Sequence, residues 1–355
     1  MDFQPILLGT ETGVYGSARA IHEAYGISSL AYGRIALTAT KYSSIVTTQI
    51  QANFNDPEVF LQTMKERGKA LKKAHPNTVY MLIPGGDDYS MLLSRYRDEL
   101  SAYFSFNVVN YELHKLLSTK TTFYDLCDKY KLPHPATFIL DADGARKKKH
   151  HHLPFDYPVA LKPADSVQWN RISFEGRKKA YCLNNPKELD DVVKKIYGAG
   201  YTAEIIIQDF IPGNDDCMRV LNAYVDQNHH VRSMIVGQIV LADPTPYAIG
   251  NYSAIIPTQD EAICKQIASF LHEINYQGFA NFDIKYDPRD GKDKIFEINL
   301  RPGRTAYFAT ENGLNVGCCY IDDLIYATDY KKTDILQGNK MLLEVPPKTL
   351  RRYIG

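Results

Sequence analysis

Apolar and polar positions over the first hundred residues switch between two periods. PILLG (5–9) is a short buried-strand run, and residues 16–25 place Ala20, Ile21 and Ala24 on one side of a helix. SSLAYG and SSIVTTQI return to strand texture. Residues 60–74 have amphipathic helical spacing, and TVYMLIPGGDD (78–88) predicts a strand ending in a Gly-Gly turn. Strands separated by helices predict a parallel α/β sheet.

The texture changes near Asn110. Residues 113–131 read as one long helix, closed by LPHPATF, where Pro133 and Pro135 force an extended exit. YPVALKPAD (157–165), AEIIIQDFIPG (203–213) and VRSMIVGQIVL (231–241) predict strands. Helices are predicted over 186–197, with Pro186 in the first turn, and over 261–274. This second part predicts antiparallel strands with interspersed helices, so the expected fold class is α/β plus α+β. No internal repeat is present.

One pair of runs carries chemistry. FANFDIKYDPRDGKDKIFEINLR (279–301) holds two alternating segments around a turn rich in Asp, Pro and Gly, which predicts a hairpin. With the turn centred on Asp290 and Gly291, Asp283 falls opposite Glu297 and Asn281 opposite Asn299. Phe282, Ile284, Tyr286, Phe296, Ile298 and Leu300 then share one face, and Asn281, Asp283, Lys285, Glu297, Asn299 and Arg301 the other. Carboxylates about 5 Å apart on facing strands repel, and Asp, Glu and Asn oxygens are the hard ligands that Mg²⁺ prefers beside phosphates. A solvated face with scattered charges is the bland alternative. It accounts poorly for acid, amide and arginine at consecutive positions of one face.

Composition narrows the classes further. The 355 residues are 45% hydrophobic and 23% charged, with Lys plus Arg equal to Asp plus Glu at 41 each. A balanced chain has no global field to recruit nucleic acid or an anionic membrane surface. No apolar run approaches the roughly 20 residues of a membrane helix, and MDFQPILLGTETG carries no leader pattern. Six cysteines without a CxxC pair read as reduced thiols. The expectation is a soluble cytoplasmic protein with no nucleic-acid partner and no membrane insertion. RKKKHHH (146–152) reads as a solvated loop, because three adjacent histidines cannot face one ion from a regular element and no carboxylate stands nearby in sequence.

Asp283, then Glu297-x-Asn299, then RPGR (301–304), resembles the metal-binding end of ATP-grasp carboxylate–amine ligases. Lys120 and Lys162 stand where that superfamily places its two ATP-phosphate lysines. QDFIPGND (208–215) resembles its adenine hinge, which implies that Gln208, Asp209 and Ile211 line the base pocket and that Asp215 meets the ribose. The resemblance covers about 110–329. It implies a pre-ATP-grasp α/β domain (1–109), an ATP-grasp small subdomain (110–205), a metal and substrate subdomain (206–330) and a C-terminal extension without an assigned role (331–355). EINLRPGRTAYF, DPTPYAIGNYSAIIP and ILLGTETGVYGSARAIHEAYG look most like the D-aspartate ligase branch of that superfamily.

The resemblance implies ATP and Mg²⁺ (or Mn²⁺), one or two ions held by Asp283, Glu297 and Asn299. It also implies an ADP-producing ligase that activates an amino-acid carboxylate as an acyl phosphate. The substrates would be D-aspartate and the lysine side chain of a nucleotide-linked muramyl peptide. Arg301 or Arg304 would bind the acceptor carboxylate and the tetrahedral intermediate. A ligase joining free amino acids or other small carboxylates and amines is the alternative, and a non-catalytic nucleotide-binding regulator is the third reading. The loop 164–177 departs from the glycine-rich pattern of many relatives, so either side chains such as Ser166 and Lys178 contact phosphate or the loop closes differently. In AIGNYSAIIP (248–257), Asn251 and Ser253 offer polar contacts, though an ordinary connection fits equally well. GTETGVYG (9–16) does not match GxGxxG. It still makes an anion-friendly helix start, with Gly9 and Thr10 as substrate contacts or as a simple tight turn.

Overall fold

A computed structural model of the chain describes residues 2–243, 250–330 and 332–354, without the side chains of Ser166, Val167 and Ile354. The strands are β1 (Phe3–Leu8), β2 (Ser29–Gly33), β3 (Val46–Ile50), β4 (Val79–Pro84), β5 (Thr137–Leu140), β6 (Val159–Pro163), β7 (Tyr181–Leu183) and β8 (Ile205–Asp209). They continue as β9 (Met218–Val225), β10 (Val231–Ala242), β11 (Tyr252–Thr258), β12 (Gly278–Asp287), β13 (Lys292–Asn299), β14 (Asp334–Ile335) and β15 (Leu342–Leu343). The chain divides into two compact units. One comprises residues 1–118, 214–284 and 297–355; the other comprises 119–213 and 285–296.

In the first unit, β1 to β4 form a parallel sheet in the order β3-β2-β1-β4. The chain leaves β1 in one direction and returns to its other side at β4. The strand order therefore reverses at β1, where open α/β sheets leave a crevice at the carboxyl ends of their strands. The helix Thr12–Tyr25 follows β1 and buries Val14, Ala18 and Ile21. Those side chains belong to one apolar core with Val220, Ile235 and Ile255 of the second sheet of this unit and with Phe308. That sheet runs β13-β12-β9-β10-β11-β15, with β14 beside β10. Its β9–β10–β11 pairings are antiparallel, as the alternating runs predict.

The second unit is a sheet of order β5-β8-β6-β7, antiparallel throughout. Val159, Leu161, Ile205 and Ile207 pack with Val193 and Ile196 of the helix Pro186–Gly198. That helix starts where its sequence says it should. Asn185 caps the Glu188 amide at 3.0 Å, Glu188 reaches back to the Asn184 amide at 2.8 Å, and Pro186 occupies the first turn.

Two expectations are corrected here. The single helix over 113–131 is two helices, Tyr111–Ser118 and Lys120–Tyr130, broken at Thr119, whose backbone is extended (φ −92°, ψ 119°). The hydroxyls of STKTT compete with the backbone for hydrogen bonds: Thr122 Oγ1 donates to the Thr119 carbonyl at 3.1 Å. The apolar spacing continues across the break and hides it. The expected solvated loop at 146–152 is also wrong for His150, which is 2% exposed within the turn Lys149–His151.

Candidate active site

The first unit carries a connected polar chain built on the start of β12 and the end of β13. Strand alternation turns Phe282 and Ile284 into the core and leaves Asn281 and Asp283 on the opposite face. On β13, Ile295 and Ile298 are both fully packed although three residues apart, so burial there does not alternate strictly. Phe296, expected among the apolar face, is only half-buried. Its ring centroid lies 5.7 Å from the Lys162 ammonium.

Asn299, Glu297 and Asp283 do come together. Asn299 Nδ2 donates to Asn281 Oδ1 at 3.1 Å and to Asp283 Oδ2 at 3.3 Å. The Asp283 and Glu297 carboxyl groups lie close enough to perturb each other. Burial, and then the charge of Glu297, push the Asp283 carboxyl well above the usual carboxylate range, while Tyr252 and Asn299 donate to it and pull the other way. Two acids held this close either share a proton or take up a cation. Two adjacent carboxylates are hard donors that suit Mg²⁺, and the Asn299 amide, whose Nδ2 faces Asp283 and whose Oδ1 faces Arg301, would offer its oxygen to the same ion after a turn of the amide, so the residues present fit that ion.

From Asn299 the chain continues to Arg301. Arg301 Nη2 lies 3.5 Å from Asn299 Oδ1 and 3.1 Å from Asp87 Oδ2, and Nε lies 3.0 Å from Asp87 Oδ1. Gly303 makes room for that guanidinium, because a Cβ there would stand 2.8 Å from Arg301 Nη1. Arg304 does not point into this chain; it is ion-paired with Glu344. The RPGR loop rests on the start of the helix Thr12–Tyr25. A Cβ on Gly13 would be 3.3 Å from the Gly303 backbone.

Asp87 also lines a cleft of about 290 Å³ at the carboxyl ends of β1, β2 and β4, together with Gly9, Thr10, Glu11, Arg34 and Tyr89. Gly9 and Thr10, expected as substrate contacts, are therefore in its wall. Glu11 was not anticipated. Its carboxylate accepts from the Thr10 amide at 2.9 Å, and burial raises its pKa. Gly9, at φ +123°, leaves space for it, since a Cβ would meet both Glu11 oxygens at 2.8 Å. An acidic residue next to the strand–helix turn was the available signal.

Tyr252 was missed as well. Its hydroxyl donates to Asp283 Oδ1 at 2.9 Å. The expected contacts, Asn251 and Ser253, flank it, and along a strand neighbours face opposite ways. Ser253 is buried, and its carbonyl accepts from the Glu344 amide. Asp215, the expected ribose contact, also lies in this unit, where its Oδ2 accepts from the Ala242 amide at 2.8 Å. Residues 244–249 of the substrate segment lie outside the described residues.

The second unit holds the other expected nucleotide residues. Lys120 is the first residue of its helix rather than an interior one, and Tyr124 follows one turn later on the same side. Lys162, on β6, has its Nζ 3.5 Å from the Tyr124 hydroxyl, and that hydroxyl donates to the Phe296 carbonyl at 2.8 Å. Gln208 is buried and donates to Thr137 Oγ1 at 2.8 Å. Asp209 forms a two-pronged ion pair with Arg289, at 2.9 and 2.6 Å. Ile211 is buried. The glycine-poor loop forms the short helix Ser166–Arg171, anchored by Trp169 edge-on to Tyr201. Lys178 is exposed, and the side chain of Ser166 lies outside the described residues.

Comparison with known proteins decides the family. The chain is 46% identical over 357 aligned residues to the D-aspartate ligase of Enterococcus faecium, an alignment covering 99% of this chain and 85% of that protein. The chain belongs to the D-aspartate ligase family. No protein-family model matches it. The family's ATP-grasp fold appears in solved structures at much lower identity. The L-amino acid ligase of Bacillus licheniformis is 14% identical with a TM-score of 0.62, over 92% of this chain and 74% of that one. The N5-carboxyaminoimidazole synthetase of Staphylococcus aureus is 12% identical with a TM-score of 0.67, over 96% and 83%. The ligase is thus an ATP-dependent enzyme that forms C–N bonds.

Proposed function

We propose that the enzyme phosphorylates the side-chain carboxylate of D-aspartate with ATP and passes the acyl group to the lysine ε-amine of a nucleotide-linked muramyl peptide. A carboxylate lacks a usable leaving group. Transfer of the γ-phosphoryl group gives an acyl phosphate and ADP. Attack by the amine then forms the amide and releases phosphate and a proton. The protein's task in such a reaction is to position the groups and neutralise charge.

Lys120 and Lys162 contact the ATP phosphates, Gln208, Asp209 and Ile211 line the base pocket, and Asp215 meets the ribose. Asp283, Glu297 and Asn299 would hold one or two Mg²⁺ ions, which would offset charge on the moving phosphoryl group. Arg301 presents its guanidinium to the reacting carboxyl group and to the oxyanion that follows, a contribution of about 3 kcal/mol in comparable sites. Glu11 and Asp87 receive the ammonium group of the amino acid, and Arg34 its second carboxylate. Arg304, already paired with Glu344, has the weaker claim to catalysis.

The observation that carries this reading is the unbroken chain Tyr252–Asp283–Asn299–Arg301–Asp87, which runs from a cation-seeking acid pair to a substrate-sized cleft. No helix among the described residues is long and apolar enough to cross a membrane.

The test is ADP release by the purified enzyme with Mg²⁺. Release that requires D-aspartate and the muramyl-peptide precursor together supports the proposal. Equal turnover with two free amino acids transfers the reading to a small-molecule ligase, and equal turnover with L-aspartate overturns the D-aspartate assignment.

A further inference from the structure

From the geometry of the second unit we infer that His150, His151 and Asp190 form a binding site for a nitrogen-preferring divalent transition ion such as Zn²⁺. Sequence spacing argues against any such site, because no acid lies near the histidines. Folding supplies one from forty residues away. His150 Nε2 lies 3.2 Å and His151 Nε2 3.3 Å from the same oxygen, Asp190 Oδ1, on the helix Pro186–Gly198.

The donor atoms of all three residues lie within 4.8 Å of one another. Zinc binds imidazole nitrogen and carboxylate oxygen at about 2.0–2.1 Å, which sets neighbouring donors in a tetrahedron about 3.4 Å apart. Two of the three edges are already at that length. The third closes by rotation of the His151 ring, whose side chain is 38% exposed. His150, by contrast, is clamped: it is 2% exposed and meets the His151 ring edge-on at 4.8 Å between centroids.

The carboxylate is held as a one-oxygen ligand. Asp190 Oδ2 takes the Lys194 ammonium at 2.6 Å, leaving Oδ1 for the imidazoles. An outer partner on the second oxygen is how proteins orient a coordinating carboxylate. His150 Nδ1 is buried without a hydrogen-bond partner. A metal on Nε2 takes the neutral ring with its proton on Nδ1, so binding displaces any Nε2 proton to Nδ1 or to water and exchanges the Nε2–Asp190 hydrogen bond for coordination by both residues. His152 is exposed and takes no part. A bound ion would staple the turn Lys149–His151 to the helix Pro186–Gly198, with the fourth position open to water. The site uses none of the residues assigned to the ligase reaction and would not take Mg²⁺, which prefers oxygen donors.

The test is a Zn²⁺ titration of the full-length protein by calorimetry, repeated with Co²⁺ to read the ligand-field spectrum and run throughout in excess Mg²⁺. One ion per chain is expected, with a tetrahedral Co²⁺ spectrum. Asp190→Asn and His151→Ala should weaken binding at least about tenfold. His151 is half-exposed, so its replacement leaves folding intact, and circular dichroism checks both variants. Glu297→Gln should leave the event unchanged. Equal Zn²⁺ affinity in wild type, Asp190→Asn and His151→Ala overturns the assignment, as does a bound ion that disappears with Glu297→Gln.

Discussion

Replacing Glu297 by Gln should make the metal-free enzyme more stable and the enzyme nearly inactive. Gln keeps the shape but removes one of two adjacent negative charges. Two full charges about 4 Å apart, at an effective dielectric of about 20, repel by about 4 kcal/mol. Near neutral pH the pair already escapes part of this by retaining a proton on Asp283, whose pKa is raised. Relief of about 2 kcal/mol is therefore expected, or roughly 3–6 °C in Tm. The pH dependence has a definite sign. The folded state holds the Asp283 proton to higher pH than the unfolded chain, whose carboxyl titrates near 3.8. Metal-free wild-type stability should consequently fall as pH rises from about 4 towards neutral. The variant should lose less over that window and match the wild type below it. Mg²⁺ should flatten the wild-type decline and leave the variant unaffected. Activity should drop at least about 100-fold, since even the outer partners of metal ligands are worth 10–100-fold. Thermal unfolding with chelator at several pH values and an ADP-release assay measure both halves. A Glu297→Gln protein that is less stable than wild type at neutral pH without metal, or that turns over normally with Mg²⁺, would refute the charge argument.

Three further outcomes follow from the site. Tyr252→Phe removes the donor that counteracts the raised Asp283 pKa; a hydrogen bond of about 1–1.5 kcal/mol predicts roughly tenfold more Mg²⁺ for half-maximal rate, read from a metal titration of ADP release. Glu11→Gln should raise the KM for the amino acid by about 10–100-fold, the loss of a charged hydrogen bond worth 1.5–3 kcal/mol, with little change in the KM for ATP; an unchanged amino-acid KM would move the ammonium pocket elsewhere. Gly13→Ala sets a Cβ 3.3 Å from the Gly303 backbone, so kcat should fall through displaced Arg301 while melting shifts by only a few degrees; full activity would show that the RPGR loop tolerates movement.

Much of the site was legible because β-structure writes its faces into sequence at period two. Asp283, Glu297 and Asn299 could be grouped from FDIKYDPRDGKDKIFEIN alone, since one turn and one alternation suffice to place them side by side. The alternating texture of the first hundred residues likewise announced the parallel sheet. Tyr252 escaped for the complementary reason. Which of 251, 252 and 253 faces Asp283 depends on register against strands distant in sequence, and a one-residue error exchanges the faces. The break at Thr119 was hidden because apolar periodicity continues through a single extended residue.

Local order and the alternation of side chains were therefore decided by the sequence itself, because they follow from backbone sterics and a short-range apolar pattern. Only the tertiary structure could bring Arg301 to Asp87 across more than two hundred residues, aim Glu11 into the cleft, or carry Asp190 to His150 and His151. Those meetings depend on how whole elements pack. Packing is set by the shared burial of many side chains, and no single stretch of the chain records it.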